Sequence, residues 1–116
     1  MAEPCIFCKI VDKEAPAEVV HETDTILAFR DVNPAAPTHI LLIPKEHIPS
    51  LREVRSEHAD MLIELMQTAA HLAKAERIDE GGWRFLTNVG RDALQSVAHL
   101  HFHLIGGRGR MGWPPG

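Results

Sequence analysis

From Ala98 to Ile105, histidines and apolar residues alternate: His99, Leu100, His101, Phe102, His103, Leu104. A period of two predicts a half-buried strand, with the three imidazoles on one face and Leu100, Phe102 and Leu104 on the buried one. The β-branched run Thr38 to Pro44 predicts another strand, stopped by its proline. Glu18 to His21 and Ile26 to Asp31 read as strands across the turn Glu22 to Thr25, and Trp83 to Asn88 reads as a strand entering the loop Val89 to Val97. The middle of the chain follows a different spacing. Met61, Leu62, Leu65, Ala69, Leu72 and Ala73 recur at helical intervals, with Ser56 as N-cap, Glu57 and Asp60 near the positive end and Gly81-Gly82 as the stop. Pro4 opens a short helical turn, Cys5 to Val11, that sets both cysteines on one side. Val32 to Pro37 is a proline-punctuated loop. Five strands with one long and one short helix predict an α+β fold, an antiparallel sheet with its helices on one face.

Residues 1–116 read as a single domain, with 106–116 as a tail; no repeat or linker interrupts them. No apolar stretch is long enough to span a membrane, and the N-terminus lacks the order of a signal peptide, so the expectation is a cytoplasmic protein. Net charge is −4, from 12 basic and 16 acidic residues with neutral histidine. That argues against nucleic-acid or anionic-membrane partners, and Arg84, Arg91, Arg108 and Arg110 are spread out rather than clustered. The two cysteines, Cys5 and Cys8, are too close to staple a fold and read as a metal or redox pair. His21, His58 and His71 read as incidental, the last two on the long helix.

Imidazoles at alternate positions suit metal ligation, proton transfer, or attack on phosphorus by the middle ring. The bland counterpart is a polar strand face that happens to be rich in histidine.

The segment Gln95-Ser96-Val97-Ala98-His99-Leu100-His101-Phe102-His103-Leu104-Ile105 resembles the signature of the histidine triad (HIT) family. Further landmarks follow in the family's order over nearly the whole chain: Cys5-Ile6-Phe7-Cys8-Lys9-Ile10, Phe29-Arg30-Asp31, Pro37-Thr38-His39, Ile43-Pro44-Lys45 and Asn88. The ending Trp113-Pro114-Pro115-Gly116 resembles the histidine triad nucleotide-binding branch, homodimeric purine nucleoside phosphoramidases. The resemblance implies a HIT-like five-stranded antiparallel sheet, extended in a homodimer through the long helix and an edge strand.

It also implies roles. His101 would attack the α-phosphorus and become a nucleotidyl-histidine, its other nitrogen fixed by an acceptor such as a backbone carbonyl. His103 would bond phosphate oxygens and hold or protonate the leaving group, and His39 would belong to the same histidine network. Ser96 would meet the leaving-group side, Gln95 the phosphate, and Asn88 the phosphate or sugar; each of these suits a loop cap equally well. Asp31 would accept the ribose hydroxyls, or else stabilise its own turn. Ile6, Phe7, Ile10 and Phe29 would form the slot for the base, or simply core. Trp113 would cross to the partner's active site, or pack on its own surface. Cys5, Cys8, His47 and His99 match a closed, tetrahedral structural zinc set, against the alternatives of free thiols or a redox pair. No catalytic metal is required, because donors around the phosphate supply the electrostatics.

The family's loop carries glycine just before the glutamine, where this chain has Leu94. Losing the freedom of positive φ predicts a shifted loop or altered phosphate binding. The implied function is hydrolysis of purine nucleoside 5′-phosphoramidates, such as AMP-amine conjugates, by an enzyme acting on P–N bonds. The alternatives are a dinucleoside polyphosphate hydrolase or nucleotidylyltransferase, and a non-catalytic nucleotide-binding dimer. The expected partners are a purine nucleotide of AMP or GMP type and a second copy of the chain, with no nucleic acid and no membrane.

Overall fold

Strand β3 (Thr38–Pro44) is buried along its whole length and forms the spine of the fold. The computed structural model describes residues 5–109, so Pro4, Arg110 and Trp113 lie outside the described residues. Along the chain come α1 (Ile6–Val11), β1 (Val19–Glu22), β2 (Ile26–Arg30), β3, α2 (Ala59–Ala75), β4 (Trp83–Leu86) and β5 (Phe102–Gly106), with 3₁₀ turns at Leu51–Glu53, Ser56–His58 and Arg91–Ala93. The strands make one antiparallel sheet in the order β1-β2-β3-β5-β4. Register puts Leu41 opposite both Phe29 and His103. Gly106, expected in the tail, closes β5 opposite Thr38 and Trp83.

The helices lie on both faces of the sheet, not on one. Ile26, Ala28, Ile40, Leu42, Leu100, Phe102 and Leu104 pack against Leu65, Ala69, Leu72 and Ala73 of α2. The alternate residues Leu27, Phe29, Leu41 and Ile43 pack against Phe7 and Ile10 of α1. The cause is visible in the two central strands: Ile26-Leu27-Ala28-Phe29 and Ile40-Leu41-Leu42-Ile43 are continuous apolar runs, and such strands need cover on each side.

The bounds of α2 depart from expectation at both ends. Ser56 opens a 3₁₀ turn instead of capping the helix, and His58 is buried before the helix proper, its Nδ1 accepting the Arg55 N–H at 2.9 Å. At the other end Arg77 takes φ 62°, the Arg77 N–H reaches Lys74 O at 3.1 Å and the Ile78 N–H reaches Ala73 O at 3.0 Å. That is a Schellman closure with arginine in glycine's usual place, so the helix stops before Gly81-Gly82 is reached. The closure drives Ile78 onto the sheet, where a Cβ on Gly106 would lie 2.6 Å from Ile78 Cδ1. The Arg30 guanidinium then ties strand to helix with paired bonds to Glu76 at 2.8 and 2.9 Å.

Candidate active site and candidate metal centre

The strand that carries the histidines is shorter than its alternation suggests. Regular pairing begins at Phe102, not Ala98, because the partner strand ends at Pro44, which has no N–H to offer. The Pro44 carbonyl accepts the His99 Nε2–H at 2.8 Å instead. The alternation survives the break, held by the Leu100 N–H to Ile48 O at 2.6 Å and by Thr87 Oγ1 to His101 O at 2.7 Å. Leu100, Phe102 and Leu104 therefore face α2, and the three rings face α1.

Phe7 of α1 is the hub of that face. Its ring meets Phe29, His99 and His101 edge-on at centroid distances of 5.5, 5.9 and 5.1 Å. Beside it lies a cavity of about 450 Å³, large enough for a small ligand. Ile6, Phe7, Ile10 and Phe29 line its apolar part, and Asp31, Ser96, His101 and His103 line its polar side. Ala15, Pro16, Ala17, Val32 and Leu41 also line it, and the sequence reading did not single these out. Leu41 was recoverable from its period-two relation to His39; the Ala15–Ala17 turn gives no comparable signal.

Backbone partners assign each ring's tautomer. His101 Nδ1 lies 2.7 Å from His99 O, so Nδ1 bears the proton and Nε2 keeps its lone pair. His39 Nε2 and His103 Nδ1 are 2.8 Å apart, and Asp31 Oδ2 lies 3.5 Å from His39 Nε2. Asp31 Oδ1 accepts the Asn33 N–H at 2.7 Å. Among the described residues, His103 Nε2 is the buried side-chain polar atom without a partner. Burial, assisted by the neighbouring His101 and His39, pushes the His103 pKa down to about 4. Burial also lowers His39, against the pull of Asp31, and lowers His99, against its bond to Pro44.

These rings stay neutral in the fold and take up protons when it opens, so stability rises with pH through their titration range. The melting temperature is expected to hold steady above 6.5, the ordinary histidine value, and to fall as pH drops from there toward about 4. Thermal denaturation across that range checks this, and a midpoint that rises on acidification would contradict neutral buried rings.

The phosphate-loop candidates divide. Ser96 is exposed at the cavity wall. Asn88 lies half-buried past the end of β4, which stops at Leu86. Gln95 clasps its own loop: Oε1 accepts the Gly90 N–H at 2.9 Å, and Nε2 donates to Pro49 O and Val97 O at 2.8 and 2.9 Å. Leu94 keeps the left-handed conformation that glycine would adopt there, at φ 63° and ψ 39°, with its side chain exposed. Leucine therefore sits in a region of backbone space that favours glycine, and the loop carries it as local strain. Leucine in this region costs about 1–2 kcal/mol. Leu94→Gly is accordingly expected to raise the melting temperature by about 4 °C, read by calorimetry; an unchanged or lower midpoint would show the strain to be offset elsewhere.

On the far side of Phe7 lies the cysteine cluster. Cys5 and Cys8 Sγ stand 3.5 and 3.6 Å from His99 Nδ1, and Cys8 Sγ is 3.2 Å from His47 Nδ1. One ligand atom from each of these four residues falls within 4.8 Å of the others. The set fits a tetrahedral ion, because Pro44 fixes the His99 proton on Nε2 and so leaves Nδ1 free to ligate. Burial and the Cys5 thiol push the Cys8 thiol up to about 11, so an ion would have to displace its proton.

The family whose description reads "Scavenger mRNA decapping enzyme C-term binding" matches residues 4–113. The chain is 45% identical to a purine nucleoside phosphoramidase of Escherichia coli strain K12, over 93% of this chain and 91% of that one. It is 50% identical to a 14 kDa zinc-binding protein of Brassica juncea, over 96% of this chain and 98% of that one. A HIT family hydrolase from Legionella pneumophila superposes with a TM-score of 0.93 at 48% identity, covering 97% of this chain and all of that one.

Proposed function

Because the chain belongs to the histidine triad family, we propose that it hydrolyses purine nucleoside 5′-phosphoramidates, with His101 as nucleophile. The observation that carries this reading is the His101 ring itself, locked by its Nδ1–H to His99 O at 2.7 Å so that Nε2 presents a lone pair at the cavity. The base enters between Phe7, Ile10 and Phe29, and the Asp31 carboxylate accepts the ribose hydroxyls. His101 Nε2 attacks the α-phosphorus and the P–N bond to the amine breaks. Ser96 is the hydrogen-bond partner of the departing nitrogen, which leaves as the free amine with a proton delivered from solvent. Water then displaces His101, releasing the nucleoside monophosphate and the neutral ring. The N–H on His103 Nε2 meets the phosphoryl oxygens as their charge grows, a donor built in before reaction. Gln95 serves this scheme by holding the loop in place, and Asn88, just past β4, is read as a phosphate or sugar contact.

Cys5, Cys8, His47 and His99 are read as a structural zinc set, in which the ion would fasten α1 to the histidine segment. Met66 and Ile63 are half exposed on the outer face of α2, and β4 is an edge strand, which supports pairing with a second copy. Two free thiols and a net charge of −4 fit a cytoplasmic enzyme of small nucleotides. Among the described residues no helix is long and apolar enough to cross a membrane.

The deciding experiment offers the purified protein a fluorogenic adenosine 5′-phosphoramidate and, separately, a diadenosine polyphosphate. Amine release with a kcat/KM at least about tenfold above polyphosphate cleavage supports the reading. The opposite preference transfers the function to polyphosphate hydrolysis, and tight AMP binding without turnover of either makes the protein a nucleotide-binding module.

A further inference from the structure

We propose that the backbone N–H of Ala35, in the proline-rich loop between β2 and β3, is a positioning group that fixes the direction of the His39–His103 hydrogen bond and makes His103 a permanent donor. The inference rests on the phosphoramidase reading for its kinetic consequence, but not for its geometry.

The Ala35 N–H donates to His39 Nδ1 at 3.0 Å. A ring nitrogen that accepts cannot also carry a proton, so His39 is protonated on Nε2 alone. His39 Nε2–H must then donate to His103 Nδ1, 2.8 Å away, and His103 in turn is protonated on Nε2 alone. That nitrogen is the buried, unpartnered one among the described residues, and its ring lines the cavity. One main-chain amide thus orients two rings and aims a donor at the place where phosphoryl charge develops.

Direction matters because the chain has no reverse gear. Were His103 to give up its Nε2 proton, His39 could replace it only by becoming an anion with two accepting nitrogens. His103 is therefore a fixed donor and not a proton shuttle. The charged and titratable groups facing the pair agree with this polarity. The Asp31 carboxylate, 3.5 Å from His39 Nε2, is a second acceptor at the nitrogen that bears the proton. His101, with its ring centroid 5.1 Å from that of His103, opposes any added positive charge. The same logic separates this cluster from the cysteine site. Asp31, His39 and His103 also bring three ligand atoms within 4.8 Å, yet the Ala35 N–H denies a metal ion the His39 Nε2 lone pair. Pro44 does the opposite for His99.

The loop is built to hold the amide still. Arg108 Nη1 donates to Ala35 O at 3.1 Å, Asp31 Oδ1 anchors the Asn33 N–H, and Ala36 is buried.

The test reads the rings directly. Long-range ¹H–¹⁵N correlation on the full-length protein with ¹⁵N-labelled histidine distinguishes the tautomers without substrate. His39 and His103 are both expected as Nε2–H forms, unchanged from about pH 8 to about pH 6; a His103 ring protonated on Nδ1 overturns the proposal. Ala35→Pro removes the donor, and Ala35→Gly keeps it. The proline variant is expected to populate the other His39 tautomer and to lose about 100-fold in kcat, with KM within about threefold, whereas the glycine variant keeps both tautomer and rate. Proline and glycine variants that lose kcat equally would overturn it. Should the proline variant fail to fold, His39→Gln and His39→Glu give the same contrast. Gln can still donate to His103 Nδ1 and should retain at least about ten times the kcat of Glu, which only accepts; equal rates reject the proposal. If the parent turns over no phosphoramidate, the functional reading fails while the tautomers still decide this one.

Discussion

His101→Ala is expected to lower phosphoramidate turnover by about 10⁴-fold or more while AMP still binds. The size follows from what is removed. In the proposed scheme the nucleophile forms the covalent bond through which the displacement is divided, and no neighbouring ring is placed to take over: His103 is committed as a donor, and His99 Nε2 is bound to Pro44 O. The ring is also a packing element, 3% exposed and edge-on to Phe7, so the variant must be shown to fold before its rate is read. Circular dichroism and AMP titration serve as that control. A folded variant that binds AMP and retains turnover within about tenfold of the parent would remove His101 as nucleophile.

The second large effect is thermal. Protein loaded with zinc and desalted is expected to retain one equivalent, and with free zinc then held at about a hundred times its Kd to melt about 10 °C above the chelated form, since such an excess adds about 2.7 kcal/mol. Cys8→Ser should abolish the increment, because its thiol, 3.2 Å from His47 Nδ1 and 3.6 Å from His99 Nδ1, is one of only two sulfur donors in the set. The expectation fails if elemental analysis of the desalted protein finds no zinc, or if the serine variant retains the metal and the increment. A thiol-labelling assay adds an independent view: Cys5 and Cys8 should react with a maleimide in the chelated form and be protected in the loaded one.

Much of this architecture is legible in residue order, and the parts that are not have a common cause. Strand β3 runs Thr38–Pro44 as its composition indicates, since β-branched residues and a terminal proline act locally. The apolar stripe of α2 is legible for the same reason. Its end is not, because Arg77 adopts a conformation usually reserved for glycine, and what holds it there is the burial of Ile78, which residue order does not display. The second apolar face of β2 and β3 is present in the sequence as unbroken runs, but α1 is too short to advertise that it covers them. In the site, the residue types that can do the chemistry are readable from the alternation around His101. The division of labour among the rings is not. It is set by Pro44 O, His99 O and the Ala35 N–H, main-chain atoms whose positions depend on the finished fold. Gln95 shows the same limit: an amide suited to phosphate is occupied by Gly90, Pro49 and Val97.

Phe7 touches a prospective metal ligand and the proposed nucleophile with one ring, from a helix of six residues. So short a helix has no stability of its own in water and keeps its shape only by what it is fastened to. Packing of Phe7 and Ile10 on the sheet fastens it on one side, and an ion in the cysteine cluster would fasten it on the other, so that zinc and nucleotide, if both bind as proposed, would be energetically linked through α1. By reciprocity, whatever factor zinc imposes on nucleotide affinity, nucleotide imposes on zinc affinity. A cell's metal supply and its nucleotide traffic would then be read by the same small piece of protein.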